Sequence, residues 1–394
     1  MKRIGALLLA VATFTTVQGQ GLGPMSRDVN GFAVAAYAKL TDGDNANFVF
    51  SPLSLNLVMR MVEEGARGNT AAEMATVLNP AESAEQIGAN SKRLIASFKS
   101  GDASSLTMAN SVWVKSGYNL LPAYTNAVKN SYSATCDQLN FSSRRACRQS
   151  CAVVNRWVAE QTNGKITNLL TDNMINANTR MILVNAISFK CDWLHKFKQK
   201  NSKMADFHQI DGSTAQTTFM SQTENFGYRK GADYDAIELA YADTRYAMLV
   251  VVPAEGRFAD VEAQLTADFV QGVVDSLSDE RVALSMPKFD AASSIDFGQI
   301  LKQMGIVEAF SGKADFSGMS GKPDLQLSKV VQKAMIEVDE SGTEAAAATA
   351  ATMMVKSAYF PDLKHLDIDR PFVYFIRDTQ TNIILFAGRY TKVQ

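Results

Sequence analysis

Apolar residues recur every three or four positions through the first part of the chain. The segments DVNGFAVAAYAKL (28–40), SLNLVMRMVEEGA (54–66), TAAEMATVL (70–78) and QIGANSKRLIASF (86–98) therefore read as helices. SLTMANSVWV (105–114) alternates as a strand, and PAYTNAVKNSYS (122–133) and RQSCAVVNRWVAEQT (148–162) return to the helical period. Strands dominate afterwards: RMILVNAISF, AIELAY, YAMLVVVP, VALSMPKF, LQLSKVVQKAMIEV, FVYFI and IILFAG, all rich in β-branched and apolar residues. LQLSKVVQKAMIEV is long for a strand and apolar in places on both faces, which suits the centre of a sheet. Helices first and strands later predict an α+β fold with large sheets. One stretch does not fit. TEAAAATAATMMVKS (343–357) is helical by propensity, yet it follows a β-rich run ended by glycine and precedes a segment with two prolines.

Composition is that of an ordinary globular chain: 394 residues, 46% hydrophobic, 20% charged, net charge -1. The near-neutral balance argues against a nucleic-acid partner, which would call for a basic field. With only 9 prolines and no Gly/Ser-rich or charge-block linker, residues 20–394 read as a single domain. The first residues, MKRIGALLLAVATFTTVQGQ, place Lys2 and Arg3 before an apolar run from Ile4 to Phe14 and then small residues. This is the layout of a secretory signal peptide (1–19) cut after Gly19, and the run is shorter than the roughly 20 residues a membrane span needs. A secreted, extracellular, monomeric protein without a membrane partner is the expectation.

Four cysteines, Cys136, Cys147, Cys151 and Cys191, are candidates for two disulfides in an oxidising compartment, with three pairings open. Asn140 in NFS is the one glycosylation sequon. Catalytic signatures are absent. His195, His208 and His365 lack ligand spacing and are not flanked by a nucleophile motif. FSGMSGK around Ser320 has Lys322 where G-x-S-x-G needs its last glycine. No metal, no cofactor and no enzymatic activity are expected.

NFVFSPLSLNLVMRMVEEGARGNTAAEM, VNAISFKCDW, VALSMPKF, LKQMGIVEAFSGKADFSGMS, LSKVVQKAMIEVDESGTEAAAA and RPFVYFIRDTQTNIILFAGRY occur in an order that resembles the serpins, the serine protease inhibitor superfamily, over about residues 25–390. The resemblance implies three β-sheets, eight to nine helices and an exposed reactive-centre loop at about 340–362. It also implies a suicide-substrate mechanism. A protease cuts the loop, is held as an acyl-enzyme, and is carried away as the loop inserts into the central sheet.

On this resemblance the hinge comprises Glu340, Gly342, Thr343, Glu344, Ala345, Ala346, Ala347 and Ala348. Counting from Glu340 places the reactive bond at Lys356–Ser357, and lysine there implies a trypsin-like target protease. Residues 345–352 contain no charge, bulk or proline, as a segment that must slip between strands requires. Counting back from Arg370–Phe372 instead allows Tyr359 or Phe360 as the targeted residue of a chymotrypsin-like protease. Ser51, Ser54 and Asn185 correspond to the shutter, and Lys288 with Glu340 to the breach ion pair. Gln332 stands where many inhibitory members have histidine, and Cys191 where glycine is common. A heparin-like glycosaminoglycan partner is not expected, because NSKRLIASFK offers only Lys92, Arg93 and Lys99. The alternative is a non-inhibitory member acting in storage, ligand carriage or as a chaperone.

Overall fold

The computed structural model describes residues 22–42, 45–98, 104–343 and 363–393. Its α-helices are α1 (Gly23–Leu40), α2 (Pro52–Glu63), α3 (Gly68–Leu78), α4 (Ala84–Ser97), α5 (Pro122–Tyr132), α6 (Arg144–Gln161), α7 (Phe258–Glu262), α8 (Ala267–Asp275), α9 (Gly298–Met304) and α10 (Ser317–Ser320). The strands of the first half are β1 (Phe48–Phe50), β2 (Ser104–Lys115), β3 (Thr135–Leu139), β4 (Met181–Asp192), β5 (Lys203–His208), β6 (Thr214–Arg229), β7 (Tyr234–Ala240) and β8 (Tyr246–Pro253). Those of the second half are β9 (Ser278–Pro287), β10 (Phe289–Asp296), β11 (Leu327–Val338), β12 (Gly342–Thr343), β13 (Lys364–Asp367), β14 (Phe372–Asp378) and β15 (Ile384–Tyr390).

The strands form two hydrogen-bonded networks. One is six-stranded, in the order β10-β11-β12-β4-β2-β3. The other is nine-stranded, running β1-β15-β14-β8-β7-β6-β9-β13 with β5 on β6. The long strands β6 and β9 join what would otherwise be two smaller sheets: β6 meets β5 at one end and β7 at the other. The α+β serpin architecture is thus present, with two of its three sheets continuous.

Helix α2 shows why the core sits where it does. Ser51 caps its N-terminus by accepting the Ser54 N–H, Pro52 sets the first turn, and every residue from Pro52 to Val62 is buried. It therefore runs through the main core rather than over it. A second, smaller core lies on the other side of the six-stranded sheet, where α6 covers β2, β4 and β11. Cys147, Cys151, Val154 and Val158 of α6 meet Ile182, Val184 and Ala186 of β4 and Val331 of β11 there.

The disulfide expectation is corrected: none of the four cysteines is cross-linked. Cys147 and Cys151 share the buried face of α6, but residues four apart on a helix keep their Cβ atoms about 5–6 Å apart, beyond disulfide reach. Cys136 lies on β3 against the other core. Through β2 it aligns with Leu183 of β4, eight residues below Cys191, or about 26 Å along the strand. Burial pushes the Cys136 and Cys191 thiols up to about 12 and that of Cys151 to about 11. Asn140 is exposed, in the turn between β3 and α6.

Candidate functional site

The two central strands of the six-stranded sheet meet along a seam that opens at one end. β11 and β4 pair in parallel from Leu327↔Met181 to Met335↔Ser188. Above that level the pairing stops. The chain leaves β11, turns through residues 339–341 and re-enters the sheet as β12. Thr343 then lies antiparallel to both neighbours, opposite Val338 of β11 and Cys191 of β4. Two residues of a new central strand are therefore already seated between β11 and β4.

Local chemistry holds this turn. The Asp339 carboxylate accepts the N–H groups of Ser341 (2.7 Å) and Gly342 (3.2 Å). Trp193 donates its indole N–H to the Asp339 carbonyl at 2.9 Å. Backbone N–H groups of Trp193 and Phe197 reach the carbonyls of Ser341 and Glu340, each at 2.8 Å. Thr343 is fully buried, and its hydroxyl pairs with the Tyr241 hydroxyl at 2.7 Å. Tyr241 in turn stacks on Trp193, with ring centroids 4.5 Å apart. Glycine at 342 provides room. A Cβ there would collide with the Cys191 carbonyl and sit 2.5 Å from the Asp192 Cα. Tyr241 carries no motif that singles it out in the sequence.

Glu340 and Lys288 form an ion pair at 2.8 Å, and the Ser202 hydroxyl donates to the other carboxylate oxygen at 2.6 Å. Burial alone would raise the Glu340 pKa. The bonds from Lys288 and Ser202 outweigh it and hold the carboxyl below the ordinary glutamate value. Ser202 carries no signal in the sequence; its side chain becomes relevant only once the turn before β5 brings it beside Glu340.

Below the open end, Ser51, Ser54 and Asn185 come together. The Asn185 amide donates to both the Ser54 hydroxyl and the Asn110 side-chain oxygen. Gln332 joins them. Its amide donates to the Asn185 oxygen (2.6 Å) and the Ser51 carbonyl (2.9 Å), while its oxygen accepts the Ser51 N–H (2.7 Å). The Gln332–Asn185 bond thus ties β11 to β4 across the seam. All five residues are buried, so each bond here stands in for hydration that the sheet interior removes. Asn110 sits in SLTMANSVWV without a local signal; its role follows from β2 lying next to β4.

Glu344, Ala345, Ala346, Ala347, Ala348, Lys356, Ser357, Tyr359 and Phe360 lie outside the described residues. The 19 residues 344–362 link the end of β12, inside the six-stranded sheet, to Leu363 just before β13, which pairs with β9 in the other network. No cluster of ligands able to hold a metal occurs among the described residues, and no described helix is long and apolar enough to cross a membrane.

Comparison with known proteins agrees with this geometry. Residues 27–393 match the family Serpin (serine protease inhibitor). An uncharacterised serpin-like protein of Thermococcus kodakarensis is 36% identical, over 93% of this chain and 85% of its own. The leukocyte elastase inhibitor of Bos taurus is also 36% identical, over 92% of this chain and 97% of its own. Among solved structures, Serpin48 of the insect Tenebrio molitor, described as highly specific, superposes with a TM-score of 0.84 at 29% identity, covering 95% of this chain and 99% of its own. The chain belongs to the serpin family.

Proposed function

We propose that the protein is a one-use inhibitor of serine proteases whose loop, once cut, completes the strand that β12 begins. The observation that carries this reading is register. Thr343 already faces Cys191 and Val338, so a chain continuing antiparallel would place Ala345 beside Phe189 and Ile336, and Ala347 beside Ile187 and Ala334. Thr349 would arrive between Asn185 and Gln332, and Ala351 between Leu183 and Val330. From Ile187 and Ala334 to Leu183 and Val330 these are the residues that pair with each other across the closed seam, so one strand fits without slip as far as Ala351.

The side chains suit the path. Alternate residues of a strand share a face, so Ala345, Ala347, Thr349 and Ala351 follow Thr343 toward the main core. Three are alanines. The fourth is the one residue of that row with a hydroxyl, and it would land where the Gln332–Asn185 bond must break. Separating β11 from β4 loses one ladder and gains two. At about 1 kcal/mol net per backbone bond, a strand of ten or so residues returns on the order of 10 kcal/mol.

The target we infer is a trypsin-like protease cutting Lys356–Ser357, since a lysine matches a specificity pocket with a buried carboxylate. The signal-peptide layout of residues 1–19 supports an extracellular site of action. Mixing the protein with trypsin tests the reading. A complex that survives denaturing electrophoresis is expected, with a released C-terminal fragment beginning at Ser357. Simple cleavage without a complex overturns it, and a fragment beginning after Tyr359 or Phe360 moves the target to the chymotrypsin-like class.

A further inference from the structure

A cavity of about 370 Å³ opens where the C-terminal end of α2, the α3–α4 connection, the start of α4 and the end of α5 meet. Small-molecule sites span roughly 300–1,000 Å³, so its size is sufficient. Arg60, Glu63, Glu64, Arg67, Glu82 and Tyr132 form its polar wall, and Pro80 and Ile87 supply apolar surface. The charges of this wall are unevenly matched. Arg60 is buried and fully engaged: it donates to Glu63 and to the Leu78 carbonyl, each at 2.8 Å, and lies 3.8 Å from Asp28. Arg67 donates to the backbone carbonyls of Glu64 and Ala66, at 3.0 and 2.6 Å. Glu64 receives only the Tyr132 hydroxyl (3.2 Å), and Glu82 only the Asn90 amide (2.8 Å). Among the described residues neither carboxylate has a cation within ion-pair distance. Burial, helped by Glu63, holds the Glu64 carboxyl above the ordinary glutamate range despite the bond from Tyr132 and the charge of Arg67.

A separate observation points to the same place. Four buried side-chain polar atoms among the described residues have no hydrogen-bond partner: Asn56 Nδ2 and the hydroxyls of Ser91, Tyr124 and Ser188. Two of them lie behind this cavity. Ser91 stands one turn beyond Ile87 on the buried face of α4. Tyr124 lies within electrostatic reach of Glu64 and Tyr132. Buried hydroxyls without a partner are uncommon, because each forfeits the hydration it has in the unfolded chain.

We propose that the cavity binds an aliphatic diamine of the polyamine class, with one ammonium on Glu64 and the other on Glu82. An ammonium has three donors and no acceptor. It therefore matches carboxylate and hydroxyl oxygens in a site whose own cations are already engaged. Pro80 and Ile87 take the methylenes between the two ends. A metal ion is the weaker match. It needs ligands that converge on one point, and no such group of three occurs among the described residues. A diamine brings its own length and joins carboxylates that do not converge. An anion is opposed by three glutamates against two arginines. The proposal stands independently of the inhibitory reading.

The test is calorimetric titration of the full chain with putrescine and with cadaverine at about 0.15 M salt. Saturable binding of at least one of them is expected, with a melting temperature that rises with diamine concentration. Pentylamine, which has a single ammonium, should bind about tenfold more weakly or worse, and E64Q and E82Q should lose as much with either diamine. Glutamine at both positions can keep the bonds to Tyr132 and Asn90, and thermal melting checks that each variant folds. If E64Q fails to fold, E82Q carries the test. E85Q, an exposed neighbour outside the cavity, should bind as the parent. No saturable binding by the parent, or undiminished binding by a folded E64Q or E82Q, overturns the proposal. So does an equal loss in E85Q, which would reduce the effect to overall charge. Pentylamine binding as tightly as the diamines, or calcium binding in their place, overturns the choice of ligand.

Discussion

At the scale of single residues, Gln332 ties the two strands of the seam together through its side chain. Its amide serves three buried partners at once, two on the Ser51 backbone and one on Asn185. Gln332→Ala leaves the Ser51 N–H and the Asn185 side-chain oxygen without a protein partner, while the Ser51 carbonyl keeps the Leu55 N–H, and denaturant unfolding of the uncut protein should lose about 1–3 kcal/mol. A variant as stable as the parent would show that the clasp is not a structural tie. Glu340 gives a pH signature. Its folded pKa lies below the ordinary value, so its ion pair contributes fully at neutral pH and is lost as pH falls below the ordinary glutamate range, through the folded value. Lys288→Met removes the cation that helps hold that pKa down. Stability of the variant, followed by thermal melting against pH, should be lower than the parent's at neutral pH and should fall less than the parent's as the pH is lowered through the glutamate range.

At the scale of elements, the segments with strong hydrophobic period were legible and the polar ones were not. The reading of helices at 28–40, 54–66, 70–78, 86–98, 122–133 and 148–162 matches α1 to α6 within a few residues. β6 went unread because its sequence, TAQTTFMSQTENFGYR, is largely polar; it is held by pairing with β9 along ten positions and not by its own pattern. The short strands β1, β3 and β13 likewise exist because a longer neighbour offers an edge. Site residues were legible where a motif carries them, as at Ser51, Ser54, Asn185 and Glu340. Asn110, Ser202 and Tyr241 were not, since only the packing of distant segments brings them to the seam. The cysteine expectation failed for a related reason: an even count says nothing about which side of a sheet each thiol faces. The inserting face yields a further expectation. Ala347→Asp would carry a charge into the main core on insertion, at a cost of several kcal/mol. Such a variant should still be cut by trypsin but yield no covalent complex on a denaturing gel; an undiminished complex would place that residue elsewhere.

At the scale of the whole molecule, the proposed mechanism treats the six-stranded sheet as one strand short of its most stable form. On that reading β12 marks where the strand would start and the polar cluster of Asn185 and Gln332 where it would pass, while α6 covers the far side of the same seam. The central claim is that the loop fills this place once it is cut. The direct measurement is the melting temperature of intact protein against protein nicked between residues 344 and 362 by a protease that is not itself trapped. A gain on the order of 10 kcal/mol predicts a rise of roughly 10 °C. An unchanged or lower melting temperature would contradict the claim, because it would mean that the freed segment does not enter the sheet.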